Sequence, residues 1–169
     1  MTISLDDDRP ATALDLREIE QFIYREARLA DQHDYDAWEE LWTDDALYWV
    51  PVDGTGHDPE TYMSIIYDNR NRISTRLQQL RTGKRYAQAP PSNMRRLVSN
   101  IELLERNSDR EATAAANFVL FESKERGTRM WAGQVTYLLR VVEGQIRLVK
   151  KTVVLIDNAE PLPNMGFLI

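Results

Sequence analysis

The sequence contains no cysteine. That absence removes a disulfide framework, a thiolate zinc site, a thiol nucleophile and every kind of iron–sulfur cluster at once. Histidine is almost as scarce, with only His33 and His57 in the chain. Two imidazoles are too few for a three-histidine site and barely enough for a two-histidine, one-carboxylate iron centre. His33 lies between Gln32 and Asp34 at a helix junction, and His57 lies in a loop with two glycines. No pattern of orienting partners surrounds either, so both read as surface histidines. Motifs for other chemistries are missing too. No G-x-S-x-G marks a nucleophilic serine, and neither G-x-x-x-x-G-K nor G-x-G-x-x-G occurs. The nearest approach, Gly54-Thr55-Gly56, does not lead into a predicted helix. An excess of positive charge is absent: 21 Lys and Arg stand against 27 Asp and Glu, for a net charge of −6. A nucleic-acid partner is therefore disfavoured. No apolar run approaches the ~20 residues that cross a bilayer. The start of the chain carries Asp6, Asp7 and Asp8 where a signal peptide would be basic and then apolar, so a cytoplasmic location is expected.

What remains is an ordinary globular composition, 43% hydrophobic and 28% charged. At 169 residues the chain suits one domain, 1–169, with an N-terminal arm over 1–11 and a C-terminal docking tail over 159–169. Apolar residues Leu16, Ile19, Phe22, Ile23, Ala27 and Ala30 recur at helical spacing after a cap at Thr12 or Asp15. A short helix follows from Asp34, with Tyr35, Trp38, Leu41 and Trp42 on its apolar side and Thr43, Asp44 and Asp45 ending it. Ala46 to Val52 reads as a strand, Asp53 to Pro59 as a loop, and Met63 to Tyr67 as an extended piece. Asp68 or Asn69 then caps a third helix with Ile73, Leu77 and Leu80 as its stripe and Gly83 at its end. Beyond Pro90-Pro91 the period changes from 3.6 to 2. Leu97, Ile101 and Leu103 alternate in one strand, and Ala112, Ala114, Ala116, Phe118 and Leu120 in the next. Trp131, Val135, Tyr137, Leu139 and Val141 share a face of the third, and Glu143-Gly144 closes a hairpin to Ile146, Leu148 and the run Val153 to Ile156. Helices followed by a meander of long strands predict an α+β fold with the helices on one face of a curved antiparallel sheet.

Several residues could carry chemistry in such a fold. Tyr24, Asp31, Tyr48, Asp68 and Tyr137 lie on core-lining elements and are candidates for acid–base work in an apolar pocket, against the plainer reading of packed, satisfied side chains. Tyr35, Trp38, Trp42, Tyr48 and Trp49 make either an aromatic cage or, by preference, a core seam. Arg70, Arg72, Arg76, Arg81, Arg85, Arg95 and Arg96 form a basic region suited to polar interfaces or to solvent. Lys150 and Lys151 must point to opposite sheet faces, so one turns inward and needs a carboxylate such as Asp157 or Glu102, or a partner chain above it. The hydrophobic end Gly166-Phe167-Leu168-Ile169 is expected to dock, on its own sheet or on a neighbour.

Taken in order, these segments resemble the small (beta) subunit family of Rieske-type aromatic-ring-hydroxylating dioxygenases. The resemblance runs nearly end to end. It rests on Phe22 to Leu29 with Asp31, on Leu41 to Asp45 after Trp38, and on Tyr48-Trp49-Val50-Pro51-Val52. It continues through Ser64-Ile65-Ile66-Tyr67-Asp68 with Arg70 and Arg76, Pro90-Pro91-Ser92, and Arg95-Arg96-Leu97-Val98-Ser99-Asn100. Lys150 to Leu155, Asp157-Asn158-Ala159 and the tail through Phe167-Leu168 complete it. Asn69 stands where the family often has a second acid, and the loop after Asp53 is compact. The resemblance implies a cystatin-like cone of the nuclear-transport-factor-2-like superfamily. It also implies a non-catalytic small subunit that scaffolds an iron-bearing large (alpha) subunit, as a trimer within a hexamer of three large and three small subunits. The Rieske cluster and mononuclear iron would both lie in the large subunit, leaving no cofactor, metal or catalytic residue here. Trp49, Asp68, Arg70, Arg76, Arg95, Asn100, Lys150, Lys151, Asp157, Asn158, Phe167 and Leu168 are the signature positions, expected to be structural or at interfaces. The alternative is a stand-alone isomerase or dehydratase of the same cone, working through a pocket carboxylate such as Asp68 or Asp31.

Overall fold

The computed structural model describes residues 14–169. The expected N-terminal arm and the Thr12 cap lie outside the described residues. Helix α1 (Leu16–Asp31) begins at Asp15, whose carboxylate accepts from Glu18 N at 2.7 Å while Glu18 reaches back to Asp15 N. This reciprocal pair satisfies two of the amides that a helix start leaves bare. Helix α2 (Tyr35–Glu39) is capped by Asp34, and α3 (Arg70–Arg81) by Asn69 rather than Asp68. Strands β1 (Trp42–Pro51) and β2 (Ser64–Asn69) separate α2 from α3. A 3-10 turn at Tyr86–Gln88 then leads to β3 (Asn93–Arg106), β4 (Glu111–Lys124), β5 (Gly127–Val142) and β6 (Gln145–Leu155).

The boundary between α2 and β1 differs from the sequence reading. Trp42 opens the strand instead of closing the helix, and Thr43 to Asp45 belong to β1. The cause is non-local: Leu148 N donates to Leu41 O at 2.7 Å and Trp42 pairs with Leu148, so β6 draws the chain into the sheet. The six strands run in the order β2-β1-β6-β5-β4-β3. All neighbours are antiparallel except β1 and β6, which pair in parallel, so the last strand of the meander joins the first strand of the chain.

A second difference lies in β3. Leu97 points outward, while Met94 is buried and Val98 packs against the core on the opposite parity. Ile101 and Leu103 nevertheless pack against the same core. The parity switches at Asn100, which takes a positive φ of 53° where the pairing with β4 slips between Ser99 and Glu102. One extra residue at a bulge exchanges the two faces of a strand and bends it. Asn tolerates that conformation better than most side chains, which gives this position a backbone role. On β5, Gly133 is needed for a different reason: a Cβ there would collide with the Val154 carbonyl, and Phe118 Cε1 would stand only 3.1 Å from it. The Glu143-Gly144 hairpin forms as expected, both residues at positive φ.

One face of the curved sheet packs on the helices. Ile19, Phe22, Ile23, Leu29 and Ala30 of α1 join Trp38, Tyr48, Ile73, Leu77, Leu120, Tyr137 and Leu139 in a continuous apolar cluster. Each fully buried large side chain contributes roughly 1.5–3 kcal/mol relative to exposure. Trp38, Trp42 and Tyr48 meet at ring distances of 5.2 to 6.0 Å, so these three rings form a core seam.

Candidate functional site

A cone-shaped α+β domain places its distinctive chemistry between helices and sheet, and here that space holds charge. Glu26 and Lys151 are both buried, with Lys151 Nζ 2.7 Å from Glu26 Oε1. Trp38 Nε1 donates to the same oxygen at 2.7 Å. Burial alone would raise the Glu26 carboxyl, but the Lys151 charge, the Arg96 charge and the two hydrogen bonds outweigh it and hold its pKa below the ordinary value. Lys151 is the inward member of the lysine pair, as strand alternation requires. Its partner is neither Asp157, which is exposed just past β6, nor Glu102, which lies outward on β3. Glu26 was missed, although its signal is in the sequence. It stands three residues after Ile23 and four before Ala30, on the buried face of α1, where an acid has to find a cation.

A second ion pair lies alongside. Asp31 accepts from Arg96 Nε at 2.7 Å and from Arg96 N at 2.8 Å, and both side chains are buried. The same guanidinium donates through Nη2 to Leu168 O at 2.8 Å, which links the pair to the tail. Tyr48 OH donates to Ile169 O at 2.7 Å and accepts from Ile169 N at 3.0 Å. Phe167 sits edge-on to Trp131 at 5.4 Å, and Trp131 Nε1 donates to the buried Glu122. The hydrophobic end of the sequence therefore docks onto its own chain. Gly166 permits this, because a Cβ there would lie 2.7 Å from that of Ala87.

The acid–base candidates are consequently occupied. Asp31 is spent on Arg96 and Asp68 on Arg76 at 2.6 Å. Tyr24 is exposed, while Tyr48 and Tyr137 are buried, and burial pushes both phenols above their ordinary pKa. They remain neutral packing groups. His33 is not a plain surface residue: Nε2 donates to Ser92 O at 2.8 Å, and Nδ1 lies 3.0 Å from Tyr35 OH. It ties the α1–α2 junction to the start of β3. His57 is a surface residue, stacked on Tyr62 at 4.0 Å.

The signature positions fall in several places. Arg70 and Arg81 both pair with Glu39, and Ser74 donates to it as well, which fastens α3 to α2. Trp49 and Lys150 meet on the outward face of the sheet, with Lys150 Nζ 5.2 Å from the ring centre. Arg95 lies outward on β3, and Asn100 forms the bulge. Asp157 and Asn158 begin the turn after β6, where Asn158 O accepts from Asp53 N. Among the described residues, no group of three or more His, Asp or Glu side chains could hold a metal ion.

The family profile described as "Ring hydroxylating beta subunit" matches residues 25–159. The small oxygenase component of the p-cumate 2,3-dioxygenase system of Pseudomonas putida is 33% identical over 136 residues, covering 79% of this chain and 75% of that protein. The crystal structure of the beta subunit of benzoate 1,2-dioxygenase from Burkholderia mallei superposes with a TM-score of 0.75 at 26% identity, covering 92% of this chain and 98% of that one. A nuclear-transport-factor-2-like protein with a cystatin-like fold from Novosphingobium aromaticivorans shares the architecture, with a TM-score of 0.61 at 20% identity over 85% of this chain and 82% of that one. The cone is thus a cystatin-like fold, and the chain belongs to the ring-hydroxylating beta-subunit family, the small subunits of aromatic-ring-hydroxylating dioxygenases.

Proposed function

We propose that the chain acts as a non-catalytic scaffold, a single domain that self-associates as a trimer and carries three large subunits in the cytoplasm. The large subunits would hold the Rieske cluster and the mononuclear iron, and the assembly would dihydroxylate an aromatic compound. The observation that carries this reading is the outward face of β3, β4 and β5. Leu97 and Met130 are 62% and 61% exposed there, and Ile156, just past β6, is 76% exposed beside them. Strand register makes the patch continuous: Leu97 pairs with Val119 and Val119 with Ala132, while Phe121 lies opposite both Arg95 and Met130. Ile156 N donates to Ala132 O and so extends the patch toward the end of β6. A contiguous apolar surface of this kind marks a protein contact. Arg95 at its border, and Lys150 further along the same face, supply the polar rim such contacts use.

The tail takes no part in that contact, since Phe167 and Leu168 are buried against their own chain. A stand-alone isomerase or dehydratase is not favoured, because Asp31 and Asp68 are each neutralised by an arginine. Native mass spectrometry of the chain co-expressed with its large subunit tests the scaffold. A complex with several copies of each is expected. Leu97→Glu with Met130→Glu should abolish it while leaving the circular dichroism of the isolated chain unchanged. A strict monomer that ignores the large subunit would overturn the reading.

A further inference from the structure

A cleft of ≈ 570 Å³ opens between the segment 158–165 and the elements β1, β2 and α3. Val52, Ile65, Ile66, Leu162 and Met165 give it an aliphatic side, and polar side chains line the rest. Two arginines reach it, and they are not equivalent. Arg76 is committed to Asp68 at 2.6 Å. Arg85 has a buried Nη1 that meets no acceptor among the described residues. Guanidinium groups are acceptor-seeking forks, and a buried donor without a partner is disfavoured. Burial lowers the Arg85 pKa and the positive charge of Arg76 adds to it, with Asp68 opposing them. Glu160 is the acidic residue of the lining, set against the two cations.

We infer that this cleft is a binding site for a small monocarboxylic acid with an apolar body, its carboxylate received by Arg85 and its body by the aliphatic walls. The size suits a small molecule, since ligand pockets span roughly 300–1,000 Å³ and combine apolar lining with few polar groups. A planar carboxylate matches the guanidinium fork in a way that a neutral amide of the same shape does not. The site lies apart from the outward face proposed for assembly.

Isothermal titration of the full chain with benzoate, cyclohexanecarboxylate and 3-phenylpropionate, each beside its amide, tests the inference. At least one acid should bind with one-to-one stoichiometry and at least tenfold more tightly than its amide. Arg85→Gln should reduce that acid to the level of the amide with little change in the melting temperature, because the buried Nη1 it removes has no acceptor to lose. Ile65→Trp, which fills the cleft, should abolish binding of acid and amide alike. The inference is overturned if no acid binds, if acid and amide bind equally, or if Arg85→Gln binds the acid as the unaltered chain does. Should Arg85→Gln not fold, the acid-against-amide comparison and Ile65→Trp still decide the matter. Each outcome is independent of the assembly state, which native mass spectrometry reads separately.

Discussion

The interior of the cone and the rim between α2 and α3 are both held by acids paired with cations, yet the two regions use those pairs differently. Glu26 and Lys151 are each 1% exposed, and Trp38 Nε1 is the second donor to the same Glu26 oxygen. Glu39 instead gathers Arg70, Ser74 and Arg81 at a partly solvated edge. Inside, water cannot replace a missing partner, so each charge is hostage to the other. At the rim water replaces any one member, and the network distributes the loss. The same chemistry therefore fixes the position of α1 over β6 in one region and merely steadies a helix contact in the other.

The sharpest way to break this contrast is at Lys151. Lys151→Met strands the Glu26 carboxylate in the core and should cost about 3–5 kcal/mol of unfolding free energy, read by urea denaturation. Combining it with Glu26→Gln, which keeps an acceptor for Trp38 Nε1, should recover more than half of that loss. If the double variant is no better than the single one, the cost lies in packing and not in the uncompensated charge.

A smaller effect is expected where the tail closes the cone. Tyr48→Phe removes the hydroxyl that both accepts from Ile169 N and donates to Ile169 O. Leaving two buried backbone groups unpaired should cost about 2 kcal/mol. Amide exchange at Leu168 and Ile169 should accelerate, while exchange in β4 follows only the global loss. Uniform protection along the chain would show that the tail does not depend on this contact.

These positions also mark what the sequence discloses and what it hides. The stripe from Ile19 to Ala30, the cap at Asp15, the period-two patterns of β4 and β5 and the Glu143-Gly144 turn are local patterns, and each forms where local chemistry places it. Leu16, at the start of the expected stripe, is exposed instead. The inward turn of one lysine was legible because alternation demands it. Its partner was not named, since attention to the apolar members of α1 passed over the acid on the same face. The parallel pairing of β1 with β6 and the reassignment of Trp42 rest on contacts about a hundred residues apart. The parity change at Asn100 has no periodic signal, because a bulge is one residue out of phase and its hallmark is a positive φ that many sequences can supply. The order of family motifs identified the cone; the state of each candidate site residue emerged only from the packing around it.

The rim offers a pH test of the contrast. Glu39 titrates at about 2 instead of 4.5: its partial burial would raise the value, but hydrogen bonds from Ser74, Arg81 and Arg70 prevail. A carboxylate depressed in the folded state contributes stability that is fully present above pH 4.5 and is lost as the pH falls toward 2. Solvent screening at the rim reduces the expected contribution to about 1 kcal/mol. Glu39→Gln should therefore show a shallower decline of stability over that window than the unaltered chain. Parallel declines would mean that the network carries no net charge–charge stabilisation.

The least effect is expected at Arg140, whose guanidinium pairs with Asp45 at 3.0 Å and approaches Glu111 at 3.5 Å. Thr43 and then Arg140 hold the Asp45 carboxyl below its ordinary range, so a real interaction is present. Exposure decides how little it matters. Asp45 is 59% exposed, and water and salt compete for both partners. Arg140→Gln should change unfolding free energy by no more than about 0.5 kcal/mol, and that small difference should vanish in molar salt. A loss above about 1 kcal/mol that persists in salt would show that the number of partners, and not their burial, sets the strength of these pairs.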